Sequence, residues 1–241
     1  MKKIITSAII TAAGNGTRFG RNKMISLVGG KTVLVLTVRQ FAKAKNIDEI
    51  IVTAKKHDFS LYRRLLKEAN LSARFVKGGE ERLVSAYHGV LAAKGNYVVV
   101  HDGVRPFAPT ALIEKVVEEV KIHNAVMTAV HPTATIKYAS NGIIEKSFPR
   151  AETWIAQTPQ AFRKDIIQKA YKEAIDKHYF VATDDSELVA MSGQKIYIVE
   201  GDPINIKITF PVDLVMAQDL FAFSKESLNV FASKDKGENH V

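Results

Sequence analysis

After an apolar run at residues 4–10, the chain reads Thr11-Ala12-Ala13-Gly14-Asn15-Gly16-Thr17-Arg18-Phe19-Gly20-Arg21-Asn22-Lys23. Glycines let a backbone approach a ligand closely, and exposed N–H groups in such a loop form a concavity for an anion. Arg18, Arg21 and Lys23 add three cations, a setting for a ligand with several phosphates. The loop is not a P-loop. The sixth position counted from Gly14 is Phe19, and the position five before Gly30-Lys31-Thr32 is Ile25, not glycine. Nor is it a dinucleotide fingerprint. Phe19 again stands where the third glycine belongs, and residues 33–36, about twenty positions on, hold no acid.

Three further clusters carry chemistry. Gly78-Gly79-Glu80-Glu81-Arg82, with Ser85 beyond it, reads either as a turn before an acid-rich helix start or as a wall for a nucleobase. In His101-Asp102-Gly103-Val104-Arg105-Pro106, Asp102 has the chemistry to hold Mg²⁺ or accept ribose hydroxyls, and Arg105 to grip a phosphate. The plainer alternative is an Asp–Arg pair closing a turn. In Asn205-Ile206-Lys207-Ile208-Thr209 a lysine sits between apolar neighbours, which is costly unless it meets an anion. Phe148-Pro149-Arg150 and Gln157-Thr158-Pro159-Gln160 flank the single tryptophan, Trp154, and Thr183-Asp184-Asp185 most simply caps a helix.

The elements that position these residues alternate in type. Residues 50–54, 97–101 and 125–130 read as buried strands, with a weaker one at 73–77. Leu34/Val38/Phe41, Leu83/Ala86/Tyr87/Val90 and Ile113/Val116/Val117/Val120 mark amphipathic helices. The pattern predicts an α/β, Rossmann-like fold: a mostly parallel twisted sheet with helices on both faces and ligands at the carboxyl ends of its strands. Residues 135–147 read as two extended segments around Asn141-Gly142, a hairpin signal. A hairpin leaving such a core is an arm suited to reach a partner subunit. Ile167/Ala170/Tyr171/Ala174 resume a helix, residues 195–199 and 206–209 read as strands, and a helix over 212–221 closes the fold. We expect one domain over 1–223, with the arm at about 132–152, and a polar, frayed tail over 224–241.

Composition narrows the classes. The chain of 241 residues has no cysteine, which rules out disulfides, thiolate catalysis and cysteine-ligated zinc and fits a cytoplasmic protein. Met1-Lys2-Lys3 and the apolar residues after it do not read as a secretion signal, because Thr6, Ser7 and Thr11 interrupt them. No stretch approaches the roughly 20 apolar residues of a membrane span. The net charge of +9 invites a nucleic-acid reading, but the basic residues (Lys43/Lys45, Lys55/Lys56, Arg63/Arg64/Lys67) are dispersed. We expect a polyanionic small substrate and no nucleic acid.

Taken in order, Ala12-Ala13-Gly14-x-Gly16-x-Arg18, Gly78-Gly79-x-x-Arg82-x-x-Ser85, His101-Asp102-x-x-Arg105-Pro106, Gln157-Thr158-Pro159-Gln160, Thr183-Asp184-Asp185 and Asn205-Ile206-Lys207-Ile208-Thr209 resemble the 2-C-methyl-D-erythritol 4-phosphate cytidylyltransferases. The resemblance implies attack of the sugar phosphate on the α-phosphorus of CTP, with release of pyrophosphate and Mg²⁺ as cofactor. It implies that Arg18, Lys23 and Lys207 are catalytic. Ala12, Ala13, Gly14, Gly16, Gly79, Glu80, Ser85 and Asp102 would bind the nucleotide, with Asp102 also the metal candidate. Arg105, Thr135, Arg150, Thr158 and Lys207 would hold methylerythritol phosphate, Thr135 and Arg150 reaching a partner's site in a homodimer joined by the arm. Asn22-Lys23-Met24 stands where that family commonly has Pro-Lys-Gln. Ribitol-5-phosphate cytidylyltransferase is the alternative of the same chemistry, and a non-catalytic nucleotide or nucleic-acid binding module the alternative of another class.

Overall fold

The computed structural model describes residues 6–14, 16, 19–20 and 22–234, with 224–234 as helical backbone alone. Arg18, the first catalytic candidate, lies outside the described residues, as do Asn15, Thr17 and Arg21. The apolar run at the start forms β1 (Thr6–Thr11). A 3-10 turn (Lys23–Ile25) follows, then β2 (Leu27–Val28), β3 (Lys31–Thr32), α1 (Val33–Lys43), β4 (Glu49–Ala54), α2 (Phe59–Glu68), β5 (Arg74–Lys77), α3 (Arg82–Ala92), β6 (Tyr97–Asp102), α4 (Thr110–His123) and β7 (Ala125–Val130). The second half adds β8 (Lys137–Ser140), β9 (Ile143–Ser147), β10 (Ile155–Arg163), α5 (Lys164–Asp176), α6 (Asp185–Met191), β11 (Tyr197–Glu200) and α7 (Pro211–Lys234).

Seven strands form one sheet in the order β11-β7-β10-β6-β1-β4-β5. β10 is antiparallel to both its neighbours, and the other pairings are parallel. Because strand side chains alternate, each strand feeds two cores. Ala8, Ile10, Val52 and Val99 pack with α1, α2 and α4 on one face. Ile9, Ile51, Val98 and Val100 pack with α3, α5 and α6 on the other. The expected mostly parallel sheet, helices on both faces, is therefore present. Six strands share one direction, so their carboxyl ends line one edge, where β1, β5 and β6 deliver their loops.

β8 and β9 pair only with each other. Their turn takes Asn141 and Gly142 at φ 50 and 79, the left-handed conformations that an Asn-Gly hairpin favours. Nearly every residue of this arm is exposed, Ile143 at 69% and Ile144 at 63%.

Two expectations need correction, and one strand was not anticipated. Residues 206–209 form no strand. Ile208 donates one bond to the Val104 carbonyl, and the segment is otherwise an extended loop whose alternation of apolar residues imitates a strand. The closing helix does not end at 221 but continues to Lys234, into the stretch expected to be a frayed tail. The Gln157-Thr158-Pro159-Gln160 stretch is part of a strand, β10, whose register shifts between Gln157 and Gln160, where Pro159 has no N–H to give.

Candidate active site

The loop after β1 leaves the sheet with the Ala12 N–H bonded to the Thr53 carbonyl at 2.7 Å. Gly16 has φ 65, a conformation open to glycine, and its carbonyl accepts from Phe19 and Gly20, both at 2.9 Å. The loop after β5 lies against it. A Cβ added to Gly78 would fall 2.4 Å from the Ala13 Cβ, so glycine is what lets the two loops meet. Gly79 donates its N–H to Ser85 Oγ at 3.0 Å, and that hydroxyl lies 3.1 Å from the Glu81 carbonyl. Ser85, 2% exposed, thus fixes the shape of the glycine turn at the start of α3.

These loops and the end of β6 enclose a cavity of about 240 Å³. Ala12, Ala13, Gly14 and Gly16 form one wall, Lys23 with its neighbours Asn22 and Met24 another, and Glu80, Arg82 and Ser85 a third. Asp102, Val104 and Lys207 close it. Nine of the candidate residues therefore converge on one space. Gly79 sits beside it.

Asp102 is the electrostatic centre. Arg82 Nε donates to its Oδ1 at 2.8 Å, Lys207 Nζ lies 2.8 Å from Oδ2, and Arg105 Nε lies 3.8 Å from the same oxygen. Burial alone would raise the pKa of Asp102. Arg82, Lys207 and Arg105, in that order, outweigh it and hold the carboxyl ionised, well below the usual carboxylate range. Arg82 is itself clamped from behind: its two terminal nitrogens donate to Asp185 at 2.8 and 2.9 Å, and Tyr171 donates its hydroxyl to Asp185 at 2.7 Å. Burial works against the charge of Arg82, and Asp102 and Asp185 more than offset it. Three cations thus face two carboxylates, a surplus of positive charge that suits an anionic ligand.

Beneath Asp102 runs an ordered proton chain. The Asp102 N–H donates to Thr158 Oγ1 at 3.0 Å, and that hydroxyl faces His101 Nδ1 at 3.1 Å. His101 Nε2 lies 3.0 Å from the Arg105 carbonyl. A carbonyl only accepts, so Nε2 carries the proton and Nδ1 accepts from Thr158. Burial of His101 lowers its pKa to about 4, which keeps this neutral tautomer.

The remaining candidates lie elsewhere. Arg105 and Thr158 do not line the cavity. Arg105 Nη1 donates to the Asn205 carbonyl at 2.7 Å, and both residues are buried. Asn205 in turn donates to the Thr158 carbonyl at 2.8 Å, and Ile208 is fully buried, so the loop is anchored on both sides of Lys207. Thr135 and Arg150 are exposed at the two ends of the arm, away from the cavity lining. Asp184 caps α6 as expected, accepting from the Glu187 N–H at 2.9 Å. Sequence reasoning missed Asp185 and Tyr171. The signal available was the second aspartate of Thr183-Asp184-Asp185, which a cap does not require.

A glycine-bearing loop, a lysine beside it and a charged cluster, gathered at the carboxyl ends of parallel strands, give this α/β protein a cavity suited to a phosphorylated ligand. The model of the 2-C-methyl-D-erythritol 4-phosphate cytidylyltransferase (IspD) family matches residues 6–222. The chain is 37% identical over 218 residues to the 2-C-methyl-D-erythritol 4-phosphate cytidylyltransferase of Dehalococcoides mccartyi, covering 88% of this chain and 94% of that protein. It is 37% identical over 227 residues to that of Bacillus licheniformis, covering 92% and 98%. A solved structure of 4-diphosphocytidyl-2C-methyl-D-erythritol synthase from Anaerococcus prevotii superposes with a TM-score of 0.82 at 34% identity, covering 91% of this chain and 96% of that one. The chain belongs to the 2-C-methyl-D-erythritol 4-phosphate cytidylyltransferase family.

Proposed function

We propose that this protein joins 2-C-methyl-D-erythritol 4-phosphate to CTP, giving 4-diphosphocytidyl-2-C-methyl-D-erythritol and pyrophosphate, a step of non-mevalonate isoprenoid precursor synthesis. The observation that carries this reading is the convergence of the glycine loop, Lys23 and the Lys207–Asp102 pair on one cavity. A phosphate oxygen of the sugar attacks the α-phosphorus, and the bond to the β-phosphate oxygen breaks. The nucleophile is already anionic, so no general base is needed. Catalysis is then positioning and charge stabilisation. Arg18 and Lys23 take the charge that grows on the phosphorus and on the leaving pyrophosphate. Ala12, Ala13, Gly14 and Gly16 offer backbone to the triphosphate. Gly79, Glu80 and Ser85 shape the wall for the cytosine. Lys207, paired with Asp102, would exchange that carboxylate for an incoming phosphate.

Asp102 is the residue that would share a Mg²⁺ with the substrate phosphates. Among the described residues no three His, Cys, Asp or Glu side chains gather as a metal cage. The carboxylate of Asp102 keeps lone pairs beyond those taken by Arg82 and Lys207, and Mg²⁺ is commonly held by one carboxylate plus substrate phosphates. When bound it would neutralise triphosphate charge. The exposed apolar arm supports a homodimer in which Thr135 and Arg150 complete a neighbour's substrate site with Lys207, whose loop Arg105 and Thr158 anchor through Asn205. A cysteine-free chain suits the cytoplasm, and no helix among the described residues is long and apolar enough to cross a membrane.

The test is pyrophosphate release from CTP, measured separately with methylerythritol phosphate and with ribitol 5-phosphate. Turnover that needs methylerythritol phosphate is the expected result. Preference for ribitol 5-phosphate, or binding without turnover, overturns the reading.

A further inference from the structure

Tyr62 is a tyrosine where a phenylalanine would fill the space. It sits on α2, is fully buried, and packs among Leu34, Val38 and Phe41. A buried phenol needs a hydrogen-bond partner. Its partner is Asn22: Asn22 Nδ2 donates to the Tyr62 hydroxyl at 2.9 Å, and Asn22 Oδ1 lies 3.2 Å from it. The same Oδ1 accepts the Met24 N–H at 3.0 Å, which caps the 3-10 turn and fixes which end of the amide is oxygen. Burial raises the Tyr62 pKa to about 12, so the hydroxyl stays protonated at any working pH.

The turn is therefore pinned on both sides of Lys23. Before it, Asn22 is tied to Tyr62. After it, the Met24 side chain, 4% exposed, is embedded in the same core. Asn22, Lys23 and Met24 all line the cavity. A proline would hold this turn by a fixed φ. Here a side-chain amide and a phenol from another element hold it instead. We propose that Tyr62 and Asn22 are positioning residues for the reaction, acting through Lys23: they fix where its ammonium meets the charge that develops during transfer. This rests on the role given to Lys23 above.

The test measures kcat and both KM values for Tyr62→Phe, Asn22→Ala, Lys23→Gln and the combinations of Lys23→Gln with each. Tyr62→Phe keeps the core volume, so its fold is secure. Each of the two positioning variants lowers kcat by about three- to tenfold, the factor of one hydrogen bond, and leaves KM for the sugar phosphate within about twofold. Neither adds a further loss in the Lys23→Gln background, because its route of action is already gone. If Lys23→Gln is damaged while Tyr62→Phe keeps full kcat, the inference fails and the lysine's role stands. A Tyr62→Phe loss that persists undiminished on Lys23→Gln also overturns it. A silent Lys23→Gln removes the lysine's role and the inference together.

Discussion

At the scale of single residues, the site is a set of charges whose protonation is decided by neighbours. His101 is the clearest case. Its ordinary pKa of 6.5 falls to about 4 in the folded protein, because full burial penalises the imidazolium and the charges of Arg105 and Arg82 add to that penalty. Between those values the unfolded chain binds a proton that the folded chain refuses. Stability therefore falls as pH drops from 6.5 to 4, by on the order of 3 kcal/mol from this residue, and is unaffected by it above that window. Urea unfolding across this range checks the prediction, and a His101→Gln variant should lose that component of the slope. Asp102 and Lys207 were legible in the sequence, because a carboxylate closing an apolar strand and a lysine between isoleucines both demand partners. The part played by His101 was not. It depends on Thr158, which is 57 residues away on a strand that the sequence did not announce.

At the scale of elements, two loops make the cradle and a glycine sets their separation. Gly78→Ala would place a methyl 2.4 Å from the Ala13 Cβ and 2.8 Å from Ser85 Oγ. The first contact is with an atom fixed to the backbone, so the loops must part. We expect the KM for CTP to rise by about tenfold or more with a smaller change in KM for the sugar phosphate, as loss of a nucleotide wall implies. Steady-state kinetics with each substrate varied in turn decides it. Most elements were readable from hydrophobic period: β4, β6, β7, α3 and α4 lie where the apolar spacing places them. β10 escaped notice because its core-facing residues are interrupted by Gln157, Thr158 and Gln160, whose amides and hydroxyl bond within the protein. Residues 206–209 misled in the opposite sense, since alternation of apolar residues records burial, not ladder pairing. The arm was legible from one dipeptide, Asn141-Gly142.

At the scale of the whole molecule, the arm and the charge need a common explanation. An isolated two-stranded hairpin is marginal in water, and this one exposes Ile143, Ile144 and Tyr138. The proposed homodimer would cover them and bring Arg150 to a neighbour's cavity. That arrangement predicts complementation. Arg18→Ala and Arg150→Ala proteins, each nearly inactive alone, should regain activity when unfolded and refolded together, because one site of each mixed dimer then has both arginines intact. No recovery would place Arg18 and Arg150 in the same protomer's site. The net charge of +9 is answered by substrates rich in phosphate, as three cations around Asp102 illustrate on a small scale. In the proposed reaction an anionic sugar phosphate attacks the α-phosphorus of CTP in the cavity at the ends of β1, β5 and β6. The most direct measurement supplies CTP radiolabelled at its α-phosphate together with methylerythritol phosphate. The label is expected to pass into the diphosphocytidyl sugar while unlabelled pyrophosphate is released. Label appearing as free CMP, or remaining in CTP, would contradict it.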